Sequence, residues 1–173
     1  MTDLGESSHA ERREFVSAMA KQRKLLVLTM RGLSEEQIRL RPTASALCLG
    51  GILTHVTTVE ERWSGFIAQG SSAIGGADPT SPPHHDASFE IADDETLSSL
   101  LESYDEAARS TNELIMTLPS LDLAHPLPEA PWFKKGASWS ARRVLLHIMT
   151  ETAQHAGHAD IIRETIDGAK TMG

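Results

Sequence analysis

Three histidines and one glutamate recur near the end of the chain at spacings of four, four and three residues. They are His147, Glu151, His155 and His158. On a helix these spacings place all four side chains near one face. A carboxylate on a buried face costs several kcal/mol unless it is paired. A divalent cation removes that cost, because neutral imidazole and carboxylate are natural ligands of such ions. The pattern therefore predicts a metal site on this helix.

A metal held by Glu151 and His155 needs a third ligand from another helix. His55 is the best candidate, because it shares the spacing of the apolar residues Ile52, Val59 and Phe66 and should face inward. Three protein ligands leave a coordination position open, which is typical of catalytic sites. The spacing alone leaves two alternatives open. His55 could be a core or capping histidine, and the Glu151–His155 pair could be a hydrogen-bonded pair on the surface.

The remaining histidines and the single cysteine have plainer interpretations. We expect His147 and His158 to support the ligands or to lie at the rim of the site. We expect Cys48 to be a small core residue, since its neighbours are apolar. The histidines that we expect in solvent, in the N-terminus or in loops, are His9, His84, His85 and His125.

The elements that would position these residues are helices. Apolar residues recur at spacings of three and four, and no strand pattern appears. The expected N-terminal caps are the Ser34–Gln37 capping box, Asp94 and Ser140. The expected helix ends are Gly32, Gly70 and Gly168. Long helices are predicted over 8–31, 49–68, 95–118 and 141–167, with a short helix over 35–39. Four long helices with two long connections predict an all-α four-helix bundle, a single domain over 1–173.

Two features of the predicted connections and helix ends bear on the site. Gly50 and Gly51 begin the second long helix and would permit close approach of a neighbouring helix. The connection over 119–139 contains Trp132, Phe133 and Trp139, which is an unusual aromatic content for a loop. These rings could wall a pocket, or they could cover one end of the bundle.

Composition excludes several classes of function. The chain of 173 residues is 40% apolar and 23% charged, with a formal net charge of −8. This acidity argues against a nucleic-acid partner, which needs a basic patch. No stretch reaches the length of a membrane span, and the N-terminus is polar and acidic, unlike a signal peptide. We therefore expect no membrane partner and a cytoplasmic location. One cysteine allows no internal disulfide.

Two stretches of the chain resemble a known family. GLSEEQIRLRPTASALCLGGILTHVTTVEERW and SWSARRVLLHIMTETAQHAGHADIIRETIDG are similar to the second-helix and last-helix signatures of the DinB-like, or YfiT-like, metal-binding superfamily. More narrowly, they resemble its actinobacterial branch of mycothiol-dependent maleylpyruvate isomerases and mycothiol S-transferases. The superfamily holds its metal with three histidines, one from the second helix and an HxxxH pair from the last. The resemblance places His55 first, Glu151 and His155 in the pair, and Gly157 after the last ligand.

The resemblance implies a function as well as a site. It implies a divalent metal, for which zinc is the first choice and nickel or iron the next. It also implies a mycothiol-type thiol as cosubstrate, which is either transferred to a small electrophile or used to isomerise it. Arg143 could then steer an anionic group, or be a solvated arginine; His158 could relay a proton or support a ligand. Two alternatives stay open: a metal-dependent hydrolase, and a stress-induced metal-binding bundle without activity. Members of this fold often form dimers, so a homodimer is also expected.

Overall fold

Four long α-helices make up most of the described part of the chain, as the sequence predicts. The computed structural model describes residues 4–74 and 86–171. The helices are α1 (Leu4–Leu28), α2 (Leu49–Gln69), α3 (Leu97–Thr117) and α4 (Ala141–Asp167). α2 packs against both α3 and α4, while α1 packs against α4 and α3. The prediction of an all-α four-helix bundle is confirmed. None of the helices in the described ranges combines the length and the apolarity that a bilayer span requires.

The helix directions explain the long connection between α2 and α3. Leu49 and Leu100, near the starts of α2 and α3, lie in one apolar cluster. Phe66 and Ile115, near their ends, lie in a second cluster. α2 and α3 therefore run in the same direction, so the chain must return along the bundle before α3 begins. The returning chain includes a short 3₁₀ helix, Asp86–Phe89, that packs against α2.

Polar side chains separate the two apolar clusters. Arg23 and Glu60 form an ion pair whose side chains are 8% and 0% exposed. Arg23 Nε donates to Glu60 Oε2 at 3.2 Å, and Arg23 also donates to Asn112 Oδ1 at 3.0 Å. Thr111 and Thr152 are buried at the same level of α3 and α4. On each of the four helices, the apolar residues on one side of this polar layer belong to the first cluster, and those on the other side belong to the second cluster.

Several predicted helix ends are confirmed. Ser140 caps α4 and accepts from the Arg143 amide, and Gly168 ends the helix at Asp167. Gly70 follows the last residue of α2 with a φ of 77°, a conformation that glycine adopts without strain. Ser34 and Gln37 exchange reciprocal hydrogen bonds of 3.2 and 3.0 Å, although the helix that they begin is a single 3₁₀ turn, Gln37–Arg39.

Two details of the prediction are wrong. The cap of α3 is Thr96 rather than Asp94, because Thr96 and Ser99 form a reciprocal capping box. A two-stranded antiparallel sheet also appears, β1 (Ala124–Pro126) with β2 (Ser138–Ser140), where no strand was expected. Three-residue strands are too short to show an alternating pattern. Trp139 lies in β2, so the sheet holds this ring in place before α4 begins.

The close approach at Gly50 and Gly51 involves a different partner from the one expected. The neighbour is the returning chain, at the short 3₁₀ helix Asp86–Phe89 and the residues that follow it, and not one of the four long helices. A Cβ on Gly51 would overlap the carbonyl oxygen of Phe89, and a Cβ on Gly50 would overlap the side chain of Ile91. The two glycines therefore let residues 86–92, called here the return segment, lie directly on the start of α2.

Candidate metal centre

Three side chains converge from α2 and α4. His55 and His155 are each 8% exposed, and Glu151 is half-buried. One ligand atom from each residue lies within 4.8 Å of the other two. Oε2 of Glu151 lies 3.9 Å from Nε2 of His55 and 3.7 Å from Nε2 of His155. The structure thus brings together the three residues that the sequence predicts.

The geometry of these atoms suits a small divalent cation. A tetrahedral zinc ion with bonds of about 2.0–2.1 Å holds its ligand atoms roughly 3.3 Å apart. The separations of 3.7 and 3.9 Å exceed this by roughly half an ångström, a distance that small side-chain rotations close. Two neutral imidazoles and one carboxylate are a donor set that zinc, nickel and iron accept. The residues present therefore fit a metal, with fewer ligands than a closed structural site has.

Each imidazole has a second contact on the side away from Glu151. Nδ1 of His55 lies 2.9 Å from Oγ of Ser88. Nδ1 of His155 lies 3.4 Å from Nδ1 of the half-buried His158. In both histidines Nε2 is the nitrogen turned toward the carboxylate. His158, which the sequence places beside the ligands, therefore contacts His155 rather than the carboxylate.

Aromatic rings cover two sides of the cluster. Phe89 stacks on His55 with ring centroids 4.0 Å apart and lies 5.3 Å from His155. On the other side Nδ1 of His147 lies 4.0 Å from Oε1 of Glu151. His147 in turn packs edge-on against Trp63, at 4.8 Å between ring centroids.

The aromatic residues of the 119–139 connection differ in how closely they approach the site. Trp139 stacks on Trp63 at 4.9 Å, and Phe133 packs edge-on against Trp139 at 5.8 Å. These rings extend the wall of the site from His147. Trp132 is 63% exposed and packs edge-on against the outer ring of this wall, Phe133, at 6.2 Å between ring centroids. The Arg143 guanidinium lies 4.6 Å above the Trp139 ring, so its charge stands at the outer edge of the aromatic cluster.

The histidines control the charge of Glu151. The nearby His55, chiefly, with His147 and His155, lowers the pKa of Glu151 below its usual range, although burial opposes this shift. The distance of 3.9 Å between Nε2 of His55 and Oε2 of Glu151 is too long for a hydrogen bond, so His55 lowers the pKa of Glu151 electrostatically, through its proximity. Burial, assisted by Arg143, lowers the pKa of His147, while Glu151 opposes this. The carboxylate is therefore ionised, and His147 neutral, at neutral pH.

Sequence reasoning missed Ser88 and Phe89. Both come from the return segment, which has no helical period that could indicate their direction. His125 was expected in solvent, but it is half-buried, and its Nε2 lies 3.1 Å from the carbonyl oxygen of Ile67. His9 is exposed and Cys48 is buried, as predicted. His84 and His85 lie outside the described residues.

Comparisons with known proteins agree with this architecture. A family model described as mycothiol-S-transferase matches residues 14–168. Among solved structures, the fold resembles a conserved protein from Enterococcus faecalis, with a TM-score of 0.67 and 11% identity. The alignment covers 91% of this chain and 97% of that one. At this identity the likeness concerns the fold alone. No curated protein matches the sequence significantly.

Proposed function

We propose that this chain, which belongs to the mycothiol-S-transferase family, is a metal-dependent thiol S-transferase or isomerase that acts on a small electrophile. The proposed metal ligands are His55, Glu151 and His155, and zinc is the proposed ion, ahead of nickel or iron. The observation that carries the proposal is the convergence of three ligand atoms within 4.8 Å, from two helices that are far apart in the sequence. The proposed cosubstrate is a mycothiol-type thiol.

The protein side chains would hold the ion and shape its surroundings. His55 and His155 would each bind through Nε2, and Glu151 through its carboxylate, so that the ligands contribute one negative charge. When bound, a divalent cation supplies Lewis-acid chemistry that favours the thiolate form of a thiol. Phe89 covers one side of the ligands and keeps water from it. The thiol would give its proton to solvent, and its sulfur would form a bond to the electrophilic carbon of the second substrate as the bond from that carbon to its leaving group breaks. In an isomerisation the sulfur would instead add to a carbon–carbon double bond, whose π electrons move onto the neighbouring group, and it would leave again after rotation when the double bond reforms.

Two further side chains have proposed roles. Nδ1 of His158 faces Nδ1 of His155 at 3.4 Å, which favours support of that ligand over proton relay. Arg143 is exposed, and Trp139 holds its guanidinium at the edge of the aromatic wall. A cation held there would attract a carboxylate on the thiol or on the electrophile. This role predicts that Arg143→Ala raises the KM for an anionic substrate and leaves metal content unchanged.

Metal content tests the ligand assignment. Protein purified without an affinity tag is analysed for zinc, nickel and iron, beside His155→Ala and the control His9→Ala, which removes an exposed histidine of α1. We expect about one ion per chain in the parent and the control, and a large loss in His155→Ala. Absence of metal from all three proteins, together with failure to bind added zinc, would refute the proposal.

Thiol binding and turnover separate the proposed reaction from its alternatives. Calorimetry with mycothiol should give heat for the metal-loaded protein and none for the metal-free protein. A fluorogenic haloalkyl electrophile should be converted only when both the metal and the thiol are present. Hydrolysis of simple esters or amides without thiol would instead favour a hydrolase. A rise in melting temperature with metal, without either reaction, would indicate a metal that only stabilises the fold.

A further inference from the structure

We infer that Ser88 is a positioning residue for His55, and that the return segment fixes this imidazole in the orientation that metal binding requires. This inference rests on the proposed function, because it concerns a ligand of the proposed metal. Ser88 is not adjacent in sequence to any of the three ligands. It reaches the site only because residues 86–92 lie across the start of α2.

The contact with Ser88 can hold the form of the His55 ring that metal binding requires. A ring nitrogen that binds a metal must carry a free lone pair, so the proton of the neutral ring must sit on the other nitrogen. Nε2 of His55 faces Glu151, whereas Nδ1 lies 2.9 Å from Ser88 Oγ. When Nε2 binds an ion, Nδ1–H donates to the serine oxygen, and this hydrogen bond holds the ring with Nε2 toward the ion. Contacts of this kind set the tautomer and direction of metal-binding histidines.

Phe89 restrains the same ring in a second way. The two ring planes differ by only 16°, with centroids 4.0 Å apart. A hydrogen bond within the plane of an imidazole limits in-plane swing, whereas stacking limits rotation of the plane itself. Ser88 and Phe89 are neighbours in sequence, so one short stretch of backbone supplies both restraints. His55 is thereby directed toward Glu151 before any ion binds.

The return segment is anchored independently of the ligands. Arg39 donates to the carbonyl oxygens of Ala92 at 2.9 Å and of Glu95 at 2.7 Å. Gly51 leaves the space that the Phe89 carbonyl occupies. These contacts involve neither the carboxylate nor His155, so they fix the backbone of Ser88 relative to α2 in the absence of metal.

Cobalt(II) binding to metal-free protein tests this role. The variants are Ser88→Ala, the conservative Ser88→Thr, and the control Ser98→Ala, whose exposed hydroxyl on α3 contacts Glu102. Affinity is read from the visible absorption of bound cobalt. Loss of a residue that orients a metal-binding histidine weakens affinity by about 10–100-fold. We expect this loss in Ser88→Ala, near-parental affinity in the other two variants, and similar melting temperatures for all metal-free proteins.

A second measurement reads the His55 ring directly. In zinc-loaded protein, where Nε2 binds the ion, nitrogen-15 NMR should show the His55 Nδ1–H proton exchanging slowly with water in the parent and faster in Ser88→Ala. If the parent binds cobalt, and Ser88→Ala has equal affinity and the same Nδ1–H exchange rate, the role of Ser88 is overturned and the proposed function is left standing. Parent protein that binds no cobalt would overturn both.

Discussion

Removal of Arg23 should destabilise the bundle far more than removal of an exposed arginine. Glu60 is fully buried, and both of its carboxylate oxygens accept from Arg23. Arg23→Met would leave this carboxylate buried without its ionic partner. Loss of one partner from a buried pair costs about 3–5 kcal/mol. In a chain of this size 1 kcal/mol shifts the melting temperature by roughly 2–4 °C, so we expect a fall of roughly 6–20 °C.

Two companion variants test the reason for this loss. Arg109 pairs with Asp105 and Glu106, but its side chain is 60% exposed, so Arg109→Met should leave the free energy of unfolding almost unchanged. The double variant Arg23→Met/Glu60→Leu removes both charges from the core. It should regain most of the lost stability, because replacing a buried pair with apolar residues is often neutral or stabilising by about 1–4 kcal/mol.

Urea unfolding of metal-free protein, followed by circular dichroism, gives the free energy of unfolding of each variant. Metal must be absent, since an ion bound only to the folded state would add stability of its own. The reasoning would be refuted if Arg23→Met lost under about 1 kcal/mol, or if the double variant were no more stable than the single one. Either result would mean that the buried Glu60 carboxylate does not depend on Arg23.

Three further predictions concern the site and its surroundings. Gly51→Ala should weaken both metal affinity and stability, because the added methyl group would displace the Phe89 carbonyl and the return segment with it; unchanged cobalt binding and urea midpoint would contradict this packing. Burial lowers the pKa of His147 in the folded protein below its value in the unfolded chain. The stability that the neutral His147 side chain contributes is therefore complete above about pH 6.5 and decreases as the pH falls through the lower folded-state pKa. His147→Phe should therefore reduce the acid-side loss of stability in metal-free protein, and a stability–pH profile identical to the parent's would count against this. The Cys48 thiol is 3% exposed and should react with a thiol reagent only as fast as the protein opens, so rapid labelling of native protein would disprove its burial.

The sequence was most informative where a helical period was present. Regular apolar spacing located all four helices, and α4 begins and ends at the predicted residues. The same period predicted that His55 faces inward, and the structure brings it together with Glu151 and His155. Metal binding itself stays a prediction, because two imidazoles and a carboxylate can also meet without an ion.

The features that were missed have a local cause in one case and a cause in distant contacts in the other. Thr96 caps α3 through Ser99, a local capping box without the usual Glu or Gln, while the neighbouring Glu95 accepts from the Ala92 amide of the return segment. Ser88 and Phe89 reach His55 only because α2 and α3 run in the same direction and the chain must return along the bundle. Such a path depends on the packing of the whole domain, and no local pattern in residues 71–92 encodes it.

The polar layer at Arg23 and Glu60 also determines how the helices can slide. A slip of α2 by one helical turn would move Glu60 about 5.4 Å along the bundle axis, out of reach of Arg23 and into one of the apolar clusters. A purely apolar core would penalise the same slip much less, because one aliphatic side chain can replace another. His55 lies five positions before Glu60 on α2 and therefore moves with it. The buried pair thus fixes the position of α2 along the bundle axis, and this keeps His55 at the same height as Glu151 and His155.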